Sequence, residues 1–380
     1  MATHAADGAK RKIKKLTKEK IEEFESELKK SNGQVDLSGR GIEAIVSLDG
    51  LAGTTKLDLS RNKLTKLTHM KDVSGLTMIR LTDNKLNGEG LAELHHLKKL
   101  VILNVAENQV SRIPVETLRH LKQLKALVLN NNSITTLEWV PSFPELNSLI
   151  VSHNRIPQLL PRTIDRLPNL TKISMTHNLL EVRDPLGLQA TTEQTSLPDL
   201  SSLKNLTELR FSHNKLTIVA PSLANLPNLK ILELGHNLID DWSGIEALGR
   251  LKNLKQLSLT GNPIYGAPLE ATKKNDNAGE KSDSGSDSED DSDANEETHS
   301  PEEKTKLKEA KRLDAKHKQY NFKMKRLFPN LVIRDGHRVL SKKVHGYVAP
   351  PKEEKKEKKV PKSEKKGKEK GKEKKGKKDK

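Results

Sequence analysis

Four histidines form the most regular set of potentially reactive side chains in this 380-residue chain. His153, His177, His213 and His236 each stand directly before an asparagine, in four consecutive copies of one sequence phrase. If the copies form stacked strands, the imidazoles lie about one strand spacing apart, ~5 Å. Such a row could bind a metal ion or sense pH. In other copies the slot holds various polar residues, which favours an exposed position without special chemistry. These residues are Arg61, Asp83, Glu107 and Asn131.

Other patterns typical of enzymes are missing from the sequence. It has no glycine-rich phosphate loop, nucleophile elbow, paired-carboxylate motif or metal-ligand spacing. It also has no cysteine, which excludes disulfides, thiolate metal sites and cysteine nucleophiles. We therefore predict a non-enzymatic protein with no catalytic residue, no metal site and no cofactor.

The phrase that positions the histidines is a repeat of the form apolar-x-apolar-x-x-Asn. Successive asparagines are 22, 24, 24, 22, 24, 36, 23 and 25 residues apart, and a tenth copy places Arg40 in the asparagine slot. Each copy predicts a short parallel strand with two apolar side chains in the core. An asparagine amide can both donate and accept, so a stacked column can satisfy the backbone groups of the turns that follow. The nine are Asn62, Asn84, Asn108, Asn132, Asn154, Asn178, Asn214, Asn237 and Asn262.

This period resembles the intracellular leucine-rich repeat family with short repeats near 22 residues, over residues 34–265. The resemblance implies an α/β solenoid with a curved parallel sheet on its concave face and helical caps at both ends. A helix over Thr17–Lys30, with Ile21, Phe24 and Leu28 on one stripe, is predicted to cover the first turn.

At the other end, Ser300 and Pro301 are typical of a helix start, and Pro329 stops the helix. The segment from Tyr320 to Asp335-Gly336 resembles the C-terminal cap of these proteins, called LRRcap. In the family the cap follows the last repeat directly, whereas here more than fifty residues intervene.

Charge and composition divide the whole chain into segments. We predict a basic leader and capping helix (1–33), the repeats (34–265), a disordered acidic linker (266–300), the cap (301–340) and a disordered Lys-rich tail (341–380). Of the net charge of +17, residues 304–380 carry about +20 and residues 282–303 about −10. The solenoid is close to neutral, so the basic character belongs to the tail.

The concave face is the predicted binding site, because the strand residues that flank the core positions point outward from it. Four of them are apolar where solvent favours polar groups, which is typical of a partner-binding strip. Scattered apolar surface residues are the alternative. The predicted site is Lys56, Asp58, Met78, Arg80, Ile102, Asn104, Val128, Ile150, Glu208, Arg210 and Glu233.

The resulting hypothesis is a monomeric scaffold or adaptor that binds a protein partner in a nuclear or nucleolar assembly, with the cytoplasm as the alternative location. No membrane span is predicted, and the Lys-rich tail is expected to contact nucleic acid weakly and without specificity. Family members with this cap include a phosphatase regulatory subunit and a spliceosomal protein. A phosphatase regulator stays open as an alternative, as does an RNA- or ribosome-associated protein that acts through its Lys-rich tail. Ser284, Ser286 and Ser288 each precede an acidic residue by three places and are candidate phosphorylation sites.

Overall fold

The computed structural model describes residues 11–23, 25, 29–30, 33–181, 197, 199–269 and 301–339. Several predictions from sequence lie outside these residues: the start of the basic leader, the acidic segment from residue 270 with Ser284, Ser286 and Ser288, and the Lys-rich tail. So does most of the long insertion, a loop predicted around Arg183 to Asp199 within the step of 36 residues.

The described residues form a sheet of thirteen strands and a separate two-stranded sheet. Several strands are connected by short helices, and one long helix lies near the C-terminal end of the large sheet. The strands are β1 Lys15–Leu16, β2 Lys29–Lys30, β3 Gln34–Asp36, β4 Ala44–Ile45, β5 Lys56–Asp58, β6 Met78–Arg80, β7 Ile102–Asn104, β8 Ala126–Val128, β9 Ser148–Ile150, β10 Lys172–Ser174, β11 Glu208–Arg210, β12 Ile231–Glu233, β13 Gln256–Ser258, β14 Ile333–Arg334 and β15 His337–Arg338. The α-helices are α1 Lys18–Glu23, α2 Val115–Leu118, α3 Pro161–Asp165, α4 Ser243–Leu248 and α5 Pro301–Leu327. The 3-10 helices are Met70–Val73, Glu89–His96, Pro221–Asn225 and Pro263–Tyr265.

The strands of the large sheet run in chain order and are parallel from β3 to β14. In each complete repeat the middle strand residue is buried, as with Leu103, Leu127 and Leu149, while its two neighbours stay partly exposed or exposed on most strands. This alternation follows from the pleat, which turns successive side chains to opposite faces. The leucines and isoleucines of all turns form one continuous core.

The asparagine side chains of the column donate to and accept from backbone groups of the turns, as predicted. Asn154 donates from Nδ2 to the carbonyls of Leu129 and Val151, both at 3.0 Å, and its Oδ1 accepts the Ile134 amide at 3.0 Å. The column continues across the 36-residue step, because Asn214 Oδ1 accepts the Leu180 amide at 3.0 Å. The long insertion therefore leaves the repeat register intact.

The N-terminal helix is shorter than predicted. It covers Lys18–Glu23, whereas Lys29–Lys30 form a strand antiparallel to the first repeat strand. Phe24 and Leu28 lie outside the described residues. The prediction of a helix to Lys30 was wrong because the first repeat leaves an unpaired sheet edge, whose backbone groups the chain pairs through a turn at Gly33, φ +66°.

The chain is ordered for a few residues beyond the predicted end of the repeats. Residues 266–269 were assigned to the disordered linker, but the Ala267 amide donates to the Leu313 carbonyl and the Leu269 amide to Asp314 Oδ1, both at 3.1 Å. The prediction failed because α5 lies against this stretch and supplies its acceptors. The end of α5 at Leu327, before Pro329, agrees with the predicted stop.

After α5 the chain rejoins the repeat pattern. The Val332 and Ile333 amides donate to the Lys255 carbonyl at 2.8 and 3.0 Å. The same two bonds join the start of each repeat strand to the turn before it, as when the Lys255 and Gln256 amides donate to the Lys230 carbonyl. The sequence Phe-Pro-Asn-Leu at 328–331 matches Leu-Pro-Asn-Leu at 226–229. The helix α5 thus replaces the outer part of an eleventh turn.

Candidate functional site

The parallel register arranges the outward-facing strand residues in two columns on the concave face. The first column contains the first residue of each strand, so that Lys56, Met78 and Ile102 are direct neighbours. The second column contains the third residue, so that Asn104, Val128 and Ile150 are neighbours. All eleven predicted site residues lie in these columns.

Five apolar residues on four adjacent strands form a continuous surface, which we call the apolar patch. It consists of Met78, Ile102, Ala126, Val128 and Ile150, on β6 to β9. Each is half-buried and none is fully exposed, in contrast to the exposed strip expected from sequence. The reason is that side chains on neighbouring strands, about 4.8 Å apart, shield one another. Ala126 was not among the eleven predicted binding residues, although its strand position also predicts that it points outward from the concave face.

Charged residues border the apolar patch on its N-terminal side. Lys56 is exposed, and Arg80 lies 3.6 Å from the Asp58 carboxylate. Lys56 and Asp58 lie on β5, and Arg80 lies on the adjacent β6. A partly exposed pair of this kind contributes little to stability, so its charges stay available to a partner.

On the C-terminal side of the patch the charges form a bonded network. Arg210 donates to both carboxylate oxygens of Glu233 at 2.7 and 2.8 Å and also to Glu208. Lys172 lies 3.0 Å from Glu208, and Gln256 donates to Glu233 at 2.9 Å. Partial burial opposes ionisation of Glu208, but the hydrogen bonds from Arg210 and Lys172 outweigh it and lower the pKa of this carboxyl.

The predicted residues therefore fall into two groups. The first runs from β5 to β9, and the second, on β11 and β12, is separated from it by β10. Lys172 on β10 was missed, because Glu208 is 36 residues away in sequence and only the register across the insertion pairs them. Ser174, its neighbour on the same strand, is buried and bonds to Ser152 at 2.9 Å.

The four histidines stack as a column of rings outside the concave face. Adjacent ring centroids are 4.1, 4.0 and 4.2 Å apart, and adjacent planes differ by 9–15°. Partial burial, followed by repulsion among the histidines, lowers the pKa of His177 and of His213. Because the rings are stacked almost in parallel, their nitrogen lone pairs point side by side and do not converge on one point. Among the described residues, no group of three or more His, Cys, Asp or Glu could hold a metal ion.

The repeat position that the histidines occupy has left-handed backbone conformation, which was not predicted from the sequence. Its non-glycine residues have φ between 52° and 57° from Arg61 to His236, and Gly261 has φ 73°. This left-handed region is costly for most side chains. The signal was present in sequence, since Asn131 and Gly261 are the residue types that tolerate it best.

Comparisons with known proteins agree with this geometry. The family described as "Leucine rich repeat" matches residues 98–156, and "Leucine Rich repeats (2 copies)" matches residues 204–247. An internalin from Listeria monocytogenes superposes with a TM-score of 0.50 at 24% identity, covering 60% of this chain and 61% of its own. The fold is a leucine-rich repeat solenoid. The matched families describe repeats that generally mediate protein–protein interaction, and no catalytic family is indicated.

Three relatives found by sequence match only part of this chain. A probable U2 small nuclear ribonucleoprotein A' from Caenorhabditis elegans is 32% identical over 96 residues, 24% of this chain and 38% of the relative. Lumican from Gallus gallus is 30% identical over 146 residues, 37% of this chain and 38% of the relative. Tubulin-specific chaperone E from Mus musculus is 29% identical over 143 residues, 37% of this chain and 26% of the relative. The chain spans at most 38% of the length of these relatives. Within the described part of the chain, no helix has the length and apolar character needed to cross a bilayer.

Proposed function

We propose that this protein is a non-enzymatic scaffold that binds a protein partner on the concave face of its solenoid. The observation that carries the proposal is the apolar patch, in which Met78, Ile102 and Ala126 occupy adjoining register positions and Val128 lies beside Ile150. Charged side chains border it at both ends: the Asp58–Arg80 pair and the network around Arg210. A dry apolar centre with a polar rim is the usual composition of a protein interface.

The two rims differ in what they offer a partner. Arg80 is exposed on the N-terminal rim, and its side chain can exchange Asp58 for a partner group at small cost. On the C-terminal rim the side chains of Glu208, Arg210 and Glu233 hold one another in a fixed arrangement. We therefore expect the N-terminal rim to set the rate of association through charge and the C-terminal rim to fix the orientation of the partner.

We propose a nuclear or nucleolar assembly as the setting. The support is the sequence match to U2 small nuclear ribonucleoproteins A' of Caenorhabditis elegans and Emericella nidulans, over 24% and 21% of this chain. The cytoplasm is the alternative location. The phosphatase-regulator and tail-dependent RNA hypotheses stay predictions from sequence, since no contact among the described residues favours either of them.

The test is affinity capture from cells with quantitative mass spectrometry, using the full chain and Met78→Glu with Ile102→Glu. Two carboxylates at the centre of a dry interface lack partners, so we expect partner recovery to fall at least tenfold. The matched control is Leu179→Glu with Leu238→Glu, which places the same charges at exposed leucines outside the strands. Thermal melting checks that each variant is folded. Equal recovery by both folded variants refutes the proposal.

A further inference from the structure

The C-terminal helix α5 has two faces of different chemistry. Its packed face buries Tyr320 and Met324 against the last repeat, and His317 Nδ1 lies 3.0 Å from the Tyr265 carbonyl oxygen. Its opposite face is exposed along the whole helix. We call this the outer face. It consists of Lys304, Lys308, Lys311, Ala315, Lys318, Phe322 and Lys325.

The spacing of these residues places them on one side of the helix. They follow one another at alternating steps of four and three residues, which keeps them within a narrow stripe at 3.6 residues per turn. From Lys304 to Lys325 the stripe is roughly 32 Å long at ~1.5 Å per residue. Glu302, Glu303 and Glu309 fall outside this series. All the charged residues of the outer face are therefore positive.

Three cations elsewhere on α5 have partners among the described residues, whereas four lysines of the outer face have no ion pair there. Lys316 pairs with Asp240, Lys323 lies 4.6 Å from the centre of the Trp242 ring, and Arg312 pairs with Glu309. On the outer face, Lys318 contacts Asp314 at 3.1 Å and remains 78% exposed. No ion pair with a described residue engages the other lysines of this face. They are Lys304, Lys308, Lys311 and Lys325.

Phe322 interrupts this positive stripe with an exposed aromatic ring. Its side chain is 69% exposed, more than any other large apolar side chain of the described residues. Lys318 and Lys325 lie about one turn before and after it on the same face. Nothing in the packing of α5 requires a phenylalanine there, because Tyr320 and Met324 fill the core side.

We propose that the outer face of α5 binds a single strand of nucleic acid. The lysines neutralise successive phosphates along the stripe, and the Phe322 ring stacks on an unpaired base. A duplex keeps its bases stacked internally and offers no free face to this ring. A bilayer surface requires an apolar stripe, whereas the outer face is mostly lysine. An acidic peptide satisfies the lysines but leaves Phe322 without a stacking partner. This site is separate from the concave face, so either proposal can fail alone.

The first test measures the binding of a fluorescein-labelled 15-nucleotide oligouridine to the full chain by anisotropy, at several salt concentrations. Replacing Lys304, Lys308 and Lys311 with Gln removes three phosphate contacts. Each phosphate contact on a single strand contributes ~0.7 to the steepness of log K against log salt. We therefore expect the magnitude of this slope to fall by about 2 in the variant. The matched control replaces three exposed lysines of the repeat turns with Gln: Lys98, Lys99 and Lys252. The Lys-rich tail is the same in all proteins and cannot produce a difference. Equal slopes for both variants overturn the proposal.

The second test addresses the aromatic ring. Phe322→Ala is expected to weaken oligouridine binding about tenfold, since stacking on one base contributes ~1–3 kcal/mol. In Phe322→Trp, oligouridine is expected to quench the new tryptophan, while inorganic polyphosphate, which has no bases, is expected to leave it unchanged. If Phe322→Ala binds as tightly as the unmodified chain, or if polyphosphate quenches equally, the outer face is a general polyanion site and the nucleic-acid proposal is wrong.

Discussion

Replacing Asn154 with Ala tests how much each asparagine of the column stabilises the solenoid. The carbonyls of Leu129 and Val151 each keep a second donor, Asn132 and Asn178 respectively, at 3.1 and 3.0 Å. The Ile134 amide, in contrast, loses its acceptor inside the core. A buried amide without an acceptor costs ~1–3 kcal/mol, and each weakened carbonyl bond adds ~0.5–1.5 kcal/mol. We expect the free energy of unfolding to decrease by about 3 kcal/mol.

The matched control is Asn228→Ala, the same substitution on the surface. Asn228 is exposed and makes one bond, from Nδ2 to the Lys204 carbonyl at 2.8 Å. Its loss should cost less than about 1 kcal/mol, because water replaces the donor. Urea unfolding followed by circular dichroism measures both variants. Since stacked repeats can unfold in parts, hydrogen exchange of the Ile134 amide locates the effect.

The result that refutes this reasoning is a difference below about 0.5 kcal/mol between Asn154→Ala and Asn228→Ala, with unchanged protection of the Ile134 amide. Backbone groups of the turns would then find other partners when the column is broken. The column would be a consequence of the repeat geometry and contribute little to stability.

Three further predictions concern other parts of the molecule. Since the pKa of His177 and of His213 is lowered in the folded state, the unfolded chain binds more protons and stability falls as the pH drops below ~6.5. Replacing both with Asn, which tolerates left-handed backbone, should flatten the dependence of the melting temperature on pH between 5 and 7.5; an unchanged profile contradicts this. Gly261→Ala should lower stability by about 1–2 kcal/mol, because its φ is 73° and the new Cβ meets His236 Nδ1. Adding His236→Asn should recover part of this loss in the same melting assay, and no recovery argues against the clash. Tyr320→Phe removes the hydroxyl that donates to Asp335 Oδ2 at 2.7 Å and should lower the free energy of unfolding by about 1–2 kcal/mol in urea, whereas a neutral effect shows that this bond adds nothing.

The repeat part of the fold could be predicted from sequence because its determinants are local and recur. The apolar strand positions and the asparagines specify the register one turn at a time. The columns on the concave face follow directly from that register. For the same reason the repeat pattern alone predicts that the residues from Lys56 to Ile150 point outward from one face.

The ends of the solenoid could not be predicted in this way. Lys29–Lys30 have no strand pattern of their own and pair only because the first repeat leaves an open edge. Residues 266–269 have the composition of a linker, yet they bond to α5, which begins more than thirty residues later. Both outcomes depend on contacts between segments that are distant in sequence, and local propensity contains no information about them.

The sequence by itself determined the solenoid, its core and the asparagine column, because a short repeat satisfies its own hydrogen bonds and apolar contacts turn by turn. Only the tertiary structure decided which charges meet on the concave face, since Lys172 and Glu208 come together across the insertion that lengthens this repeat to 36 residues. Only the tertiary structure showed which side of α5 is free. Helical spacing gives two faces, and the packing of Tyr320 against the last repeat decides that the lysine face with Phe322 remains open to solvent.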